Sequence, residues 1–206
     1  MKNKLSITIS LLVFSVLSFL FGDNLSDRRV IIVHGIRQNS QDMEPMRDEL
    51  IKMGIPKENI ELIDLPKNQG LIEKNAQYLG NYIKDTFEKS GRKKAIVIGY
   101  SMGGLTADFL TKNQEENVTY SYKKLLTNVE IPVLPGSIKF PIKENVTRTI
   151  KMPIHMERYI NEVVLIASGP SKLALIPYDK SLENEDWAVY QQLVPESEFL
   201  KGLNDM

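Results

Sequence analysis

The sequence predicts an α/β protein: a mostly parallel sheet flanked by helices, incomplete at the C-terminus and carrying a β-hairpin-type insertion. Three observations lead there. Short aliphatic runs alternate with stretches whose apolar residues recur at helical spacing, and the connections are short, which is the pattern of strands joined by helical crossovers. The strand runs are apolar continuously rather than alternately, as expected of strands covered on both faces. From 117 to 160 this rhythm gives way to alternating pieces punctuated by proline, read as one or two hairpins.

Taken in order, Lys2 and Lys4 precede an uncharged run from Leu5 to Phe21, and Asp23 with Asn24 opens a polar stretch. That is the layout of a secretory signal over 1–22, so export, as a secreted or periplasmic protein, is the expectation. The run is near the roughly 17-residue minimum for crossing a bilayer, which keeps an uncut membrane anchor open. Residues 23–206 then form one domain, with 117–160 as its insertion.

Val30 to Val33 is the first strand, ending at His34 and Gly35. Met46, Leu50, Ile51 and Met53 mark a helix that Gly54 stops. Asn59 to Leu65 is a second strand. Ile72, Ala76, Leu79, Ile83 and Phe87 lie on one face of a long helix ending at Gly91. Ala95 to Ile98 is a third buried strand, and Met102, Leu105, Phe109 and Leu110 give the helix after it. Beyond the insertion, Val163 to Ala167 resumes the buried-strand pattern, and a helix is expected from about Glu185 to Leu193.

Composition excludes several classes of function. Lys plus Arg and Asp plus Glu both number 26, so no net charge draws the chain to nucleic acid. Without cysteine there is no disulfide, thiolate zinc site or iron–sulfur cluster. No metal or cofactor is expected.

Chemistry concentrates at Gly99-Tyr100-Ser101-Met102-Gly103, a G-x-S-x-G motif directly after a buried strand and directly before a helix. A sharp strand-to-helix turn exposes the serine hydroxyl and excludes side chains two positions either side, which is why glycine stands at both. Ser101 is therefore the candidate nucleophile. The backbone N–H of Met102, at the helix N-terminus, is a candidate oxyanion donor. The loop after the first strand offers a second donor from Ile36 or, alternatively, Gly35. His34 beside them reads as a hydrogen-bonded packing residue.

The segments VIIVHGI, N-A-x-x-L-x-x-x-I, KKAIVIGYSMGGL and QQLVPESEFLKGLN resemble bacterial triacylglycerol lipases and the related PGAP-type lipase-like hydrolases of the α/β-hydrolase superfamily. The resemblance implies ester hydrolysis through an acyl-enzyme on Ser101. It also implies small-molecule or lipid ester substrates and association with a membrane surface. It further implies an acid and then a histidine after the serine in chain order, and the segments that would carry them are not among those matched. The chain has two histidines. His34 precedes the serine and belongs to the oxyanion loop; His155 lies in the insertion, reads by default as a surface or packing histidine, and would need an unusual path into the site to serve as the base. Asp108, Asp179, Glu183, Glu185 and Asp186 read as solvated charges. The alternative function is a truncated or catalytically silent lipase-like protein acting as a binding module. The insertion reads equally as a lid over an acyl site or as a decorative hairpin.

Overall fold

The computed structural model describes residues 27–66, 70–133, 136–166, 192 and 198–206. The signal segment expected over 1–22 lies outside them, as does the helix expected over 185–193 apart from Gln192, which is helical. In chain order the elements are β1 (Arg29–Val33), α1 (Glu44–Lys52), β2 (Ile60–Ile63), α2 (Ile72–Phe87), β3 (Ala95–Tyr100), α3 (Met102–Lys112), β4 (Asn117–Val133), β5 (Gly136–Lys151), β6 (Ile160–Ile166) and α4 (Glu198–Asp205).

β2, β1, β3 and β6 form a parallel sheet in that spatial order. The step from β1 to β2 runs one way along the sheet and the step from β2 to β3 runs back past β1. Crossovers of one hand must then put α1 and α2 on opposite faces. The core divides accordingly. Met46 and Leu50 of α1 pack with Val30, Ile32, Ile96 and Ile98 on one face. Ala76, Leu79 and Ile83 of α2 pack with Ile31, Val33 and Val97 on the other, where Leu105 and Leu110 of α3 join them. Every residue of β1 is buried, which is why Val30 to Val33 are apolar without alternation.

Two helix ends predicted from glycine close as expected. Gly54 takes φ +98°, Ile55 N–H reaches the Leu50 carbonyl at 3.1 Å, and Gly54 N–H reaches Ile51 at 2.9 Å. Gly91 (φ +69°) closes α2 the same way, with Arg92 N–H on the Phe87 carbonyl at 3.0 Å. Both are Schellman closures, which need a left-handed residue one position past the helix.

Two expectations are sharpened. The insertion is a single long antiparallel hairpin, β4 against β5, followed by a return segment to β6. β6 begins earlier than the apolar run suggested, at Ile160, and is not buried throughout: Leu165 is 48% exposed. Among the described residues β6 is the edge strand of the sheet, so its side chains have a neighbouring strand on one side only.

The first strand begins one residue earlier than the expected Val30, at Arg29, which is buried. Its Nε donates to Glu61 Oε1 at 2.7 Å, its Nη2 reaches Thr86 Oγ1, and Tyr82 donates its hydroxyl proton to Glu61 Oε2 at 2.8 Å. The pairing across β1, β2 and α2 lets a guanidinium lie in the interior, because a buried charge is tolerated only with a hydrogen-bonded partner. Burial, and then the Glu61 carboxylate, push the Tyr82 phenol up to about 12. The folded state therefore holds this proton more tightly than the unfolded chain, whose phenol titrates near 10.0. Stability from Tyr82 is full below the lower value and falls as pH rises through the higher one. Denaturant melts should show that decline between those two values, and Tyr82→Phe should flatten it; an unchanged slope in the variant would show that Tyr82 is not its source.

Candidate active site

The elbow begins where β3 ends. Ser101 has φ +52° and ψ −119°, a backbone region that an L-residue occupies only under constraint. Constraint comes from both flanks. Ser101 N–H donates to the Ile166 carbonyl of β6 at 2.8 Å, and its own carbonyl accepts from Gly104 N–H at 3.0 Å as α3 starts. The glycines are required by backbone approach. A Cβ at Gly99 would sit 2.4 Å from Gly104 Cα, and one at Gly103 would sit 2.5 Å from the Val33 carbonyl oxygen. Only hydrogen at those two positions lets the first turn of α3 lie against the ends of β3 and β1.

The N-terminus of α3 supplies the donor expected from the sequence. Gly104 and Leu105 N–H groups return to the Ser101 carbonyl, while Met102 N–H has no hydrogen-bond partner among the described residues. An unpaired donor at the positive end of a helix suits a developing oxyanion. Met102's side chain is buried, so it is the backbone that faces the chemistry.

The second strand end is brought beside the first by register. Val33 pairs with Gly99, so the two strands reach their carboxyl ends together, and a Cβ at Gly35 would lie 3.1 Å from Ser101 Cβ. This is the point where the chain leaves β1 for β2 on one side and β3 lies on the other, the crevice at which parallel sheets place their sites. The loop is held by three ties. His34 is buried: its Nδ1 lies 2.8 Å from the Gly35 carbonyl and its Nε2 accepts from Leu65 N–H at 3.0 Å. That pattern makes it the neutral tautomer with the proton on Nδ1. Gly35 N–H donates to Gln38 Oε1 at 3.0 Å. Ser40 donates its N–H (2.5 Å) and hydroxyl (2.9 Å) to Asp64, which holds that carboxyl below the usual range.

These bonds separate the two candidates for the second oxyanion donor. Gly35 N–H is already engaged by Gln38, whereas Ile36 N–H has no partner among the described residues. Gln38, Asp64 and Leu65 thus shape the site, and the sequence reading passed over all three. Asp64 and Leu65 act on partners in another element, which local pattern does not report, and Gln38 acts on Gly35 within its own loop.

Neither histidine reaches Ser101 as a base. Both ring nitrogens of His34 are committed to the β1–β2 framework. His155 is exposed, takes the left-handed conformation (φ 60°, ψ 40°) and faces Glu157 at 3.5 Å. It stands just before β6, whose first residue pairs with Ala95 at the amino end of β3. Ser101 follows the other end of β3, so about 15 Å or more of strand separates the two. Parallel pairing therefore removes His155 as a base for Ser101. Asp108 pairs with Lys112 at 3.2 Å on α3, as a solvated helix charge does, and Asp179, Glu183, Glu185 and Asp186 lie outside the described residues. Among the described residues no cluster of His, Asp and Glu could hold a metal. A cavity of about 280 Å³ lies around Arg29, Glu61 and Lys93, at the amino edge of the sheet and remote from Ser101, and its lining is polar.

A serine on a strand–elbow–helix turn, at the switch point of a parallel sheet and beside an unpaired helix N–H, is the arrangement of the α/β-hydrolase fold. The sequence comparison agrees: residues 24–134 match the family described as "Putative serine esterase (DUF676)", and the chain belongs to that family. It is 35% identical over 103 residues to "Putative lipase YDL109C" of Saccharomyces cerevisiae, an alignment covering 47% of this chain and 16% of the yeast protein. It is similar in fold to the mature form of Bacillus licheniformis lipase BlEst2, with a TM-score of 0.52 and 17% identity over 90% of this chain and 60% of that one. The chain thus spans about a sixth of the yeast relative and three fifths of the bacterial structure.

The elbow's strain and its close contacts predict opposite outcomes for two substitutions. Ser101→Gly should raise stability by about 1–2 kcal/mol, because glycine occupies this φ without penalty. Gly99→Ala should lower it by about 3 kcal/mol or more, since nothing but backbone is available to give way. Chemical denaturation of both against the parent protein measures the difference, and equal midpoints would show that the turn is relaxed.

Proposed function

We propose that this chain is a carboxylic ester hydrolase with Ser101 as its nucleophile. The single observation that carries the reading is the backbone of Ser101, held at positive φ between the β6 carbonyl and α3 with Met102 N–H left open beside it. In the reaction, Ser101 Oγ attacks the ester carbonyl carbon and its proton passes to a base. Met102 and Ile36 N–H groups stabilise the oxyanion, with Gly35 as the lesser alternative. The C–O bond to the leaving alcohol breaks, that alkoxide takes the proton, and water later cleaves the acyl-enzyme. Lipid acyl esters are the favoured substrates, and a membrane surface the favoured setting.

The proton acceptor in this scheme comes from outside the described residues, because both imidazoles of the chain are placed elsewhere. That same observation favours a second reading, a catalytically silent binding module. Loss of the histidine from a serine triad costs roughly six orders of magnitude in kcat, so the two readings differ by far more than assay noise.

A fluorophosphonate probe separates them. Labelling forms an Oγ–P bond and expels fluoride. In the hydrolase reading the folded protein labels, Ser101→Ala does not, and turnover of p-nitrophenyl esters falls with the label. Folded protein that neither labels nor turns over establishes the silent module.

Export through residues 1–22 completes the proposal; it rests on the Lys2 and Lys4 lead and the apolar run that follows. Fractionation of a bacterial host should find the full chain outside the cytoplasm and a chain beginning at Asp23 within it. Equal distributions would remove the export function from this segment.

A further inference from the structure

The hairpin divides into a packed root and a free arm. At the root, Gln77 of α2 donates to the Lys151 carbonyl at 2.8 Å, Val118 joins the main core, and Tyr120 with Tyr122 packs on Leu71. Lys74 Nζ lies 5.9 Å from the Tyr120 ring centroid. These contacts climb α2 from Gln77 to Leu71, toward its N-terminus. That end of α2 follows the carboxyl end of β2, the edge of the sheet that also carries Ser101. Beyond Tyr122 the arm continues past that edge for about 30 Å.

A bulge sets what the arm displays. Leu125 pairs with Lys143 and Thr127 with Ile142, leaving Leu126 as the extra residue on β4. One inserted residue shifts the alternation of that strand by one, so odd positions of β4 come to the face that even positions held below. β5 has no such break. Val129 opposite Phe140 and Ile131 opposite Ile138 therefore continue the apolar face that Tyr120 and Tyr122 begin at the root. The opposite face is polar at the root, where Thr119 meets Thr149 and Ser121 meets Thr147, each at 2.9 Å. Below the bulge Val118, Tyr120 and Tyr122 on this face are buried. Above it Val129, Ile131, Ile138, Phe140 and Ile142 are 40–49% exposed.

Charge and edges identify what this arm meets. The 206 residues carry no net charge, yet the hairpin from Asn117 to Lys151 holds five lysines and one arginine against two glutamates. Pro132 in β4 and Pro141 in β5 each lack an N–H, and proline is tolerated in a ribbon only where its nitrogen faces the outer edge. Both edges are thereby blunted against an added strand. The exposed stripe presents a few hundred Å², less than the roughly 800 Å² per partner of a stable protein interface. An apolar ribbon above a cationic collar fits instead an anionic lipid surface, with aliphatic side chains in the acyl boundary and lysines at the headgroups.

We propose that the distal strands of the hairpin, Thr127–Val133 and Gly136–Ile142, are the element by which this protein docks on anionic lipid membranes. It deepens the reading of a membrane surface as partner and is independent of whether Ser101 acts. The test is co-sedimentation of the full chain with vesicles of phosphatidylcholine alone and of phosphatidylcholine with one third phosphatidylglycerol. The expected result is binding to the anionic vesicles that weakens about tenfold or more in Ile131→Asp/Phe140→Asp and on raising salt to about 1 M, where the screening length falls to about 3 Å. Thr119→Asp, on the polar face, and Ser101→Ala should bind as the parent does, and thermal melts should confirm that the exposed tip substitutions leave the fold intact. Absence of binding to anionic vesicles overturns the proposal, as does binding unchanged by the paired aspartates. A dimer in gel filtration that Ile131→Asp/Phe140→Asp converts to monomer also overturns it, in favour of a second copy on the stripe. Lipid binding with no esterase activity would leave the docking element standing and remove the catalytic reading alone.

Discussion

The backbone approach between the first turn of α3 and the ends of β1 and β3 is the constraint on which the rest of this site depends. Gly103 lies against the Val33 and His34 carbonyls, and Gly99 against Gly104, with no room for a methyl group at either. Because the helix sits that close, Ser101 must take positive φ, its hydroxyl stands at the crevice between the strand ends, and the first helix N–H stays open. Each feature of a nucleophile elbow is thus a consequence of one packing distance. The strain at Ser101 persists because β6, α3 and β1 hold it from three sides, which is the condition for stored strain at functional positions.

The loop after β1 is rigidified by a separate set of bonds, and they explain a histidine that could be mistaken for chemistry. His34 joins the β1 turn to the end of β2 through Gly35 and Leu65, using both ring nitrogens. Replacing an imidazole buried this way leaves a backbone donor without a partner, a loss typically of about 1–3 kcal/mol. Its proximity to Ser101 in the fold is therefore a matter of architecture. His155 shows the reverse case: exposed, but placed at the wrong end of the strands. A parallel sheet has two chemically distinct edges, and residues that precede a strand cannot serve a site that follows one.

The hairpin shows how one extra residue changes what a ribbon presents. Without the bulge at Leu126, Val129 and Ile131 would fall on the face opposite Phe140 and Ile138, and the arm would have two mixed faces. With it, Val129 and Ile131 share the face of Phe140, Ile138, Tyr120 and Tyr122. An isolated two-stranded ribbon has little stability of its own, so the root's packing on α2 and Leu71 is what anchors the arm.

Much of this was legible in the sequence. Continuous aliphatic runs marked β1 and β3 because strands covered on both faces need no alternation, and helical spacing marked α2 because one stripe faces the core. Gly54 and Gly91 marked helix ends through the left-handed cap they permit, and G-x-S-x-G between a strand and a helix marked the elbow, since all of these are short-range constraints. Strand order, register and edge were not legible. They decided that Gly35 lies beside Ser101 and that Arg29 is buried against Glu61. They also decided that His155 stands a strand's length from the serine. The sequence by itself determined which residue stands at the elbow, because that turn is built from five consecutive residues. Only the tertiary structure decided which groups stand beside it, because those meet through pairings between strands distant in the chain, whose energies no local pattern records.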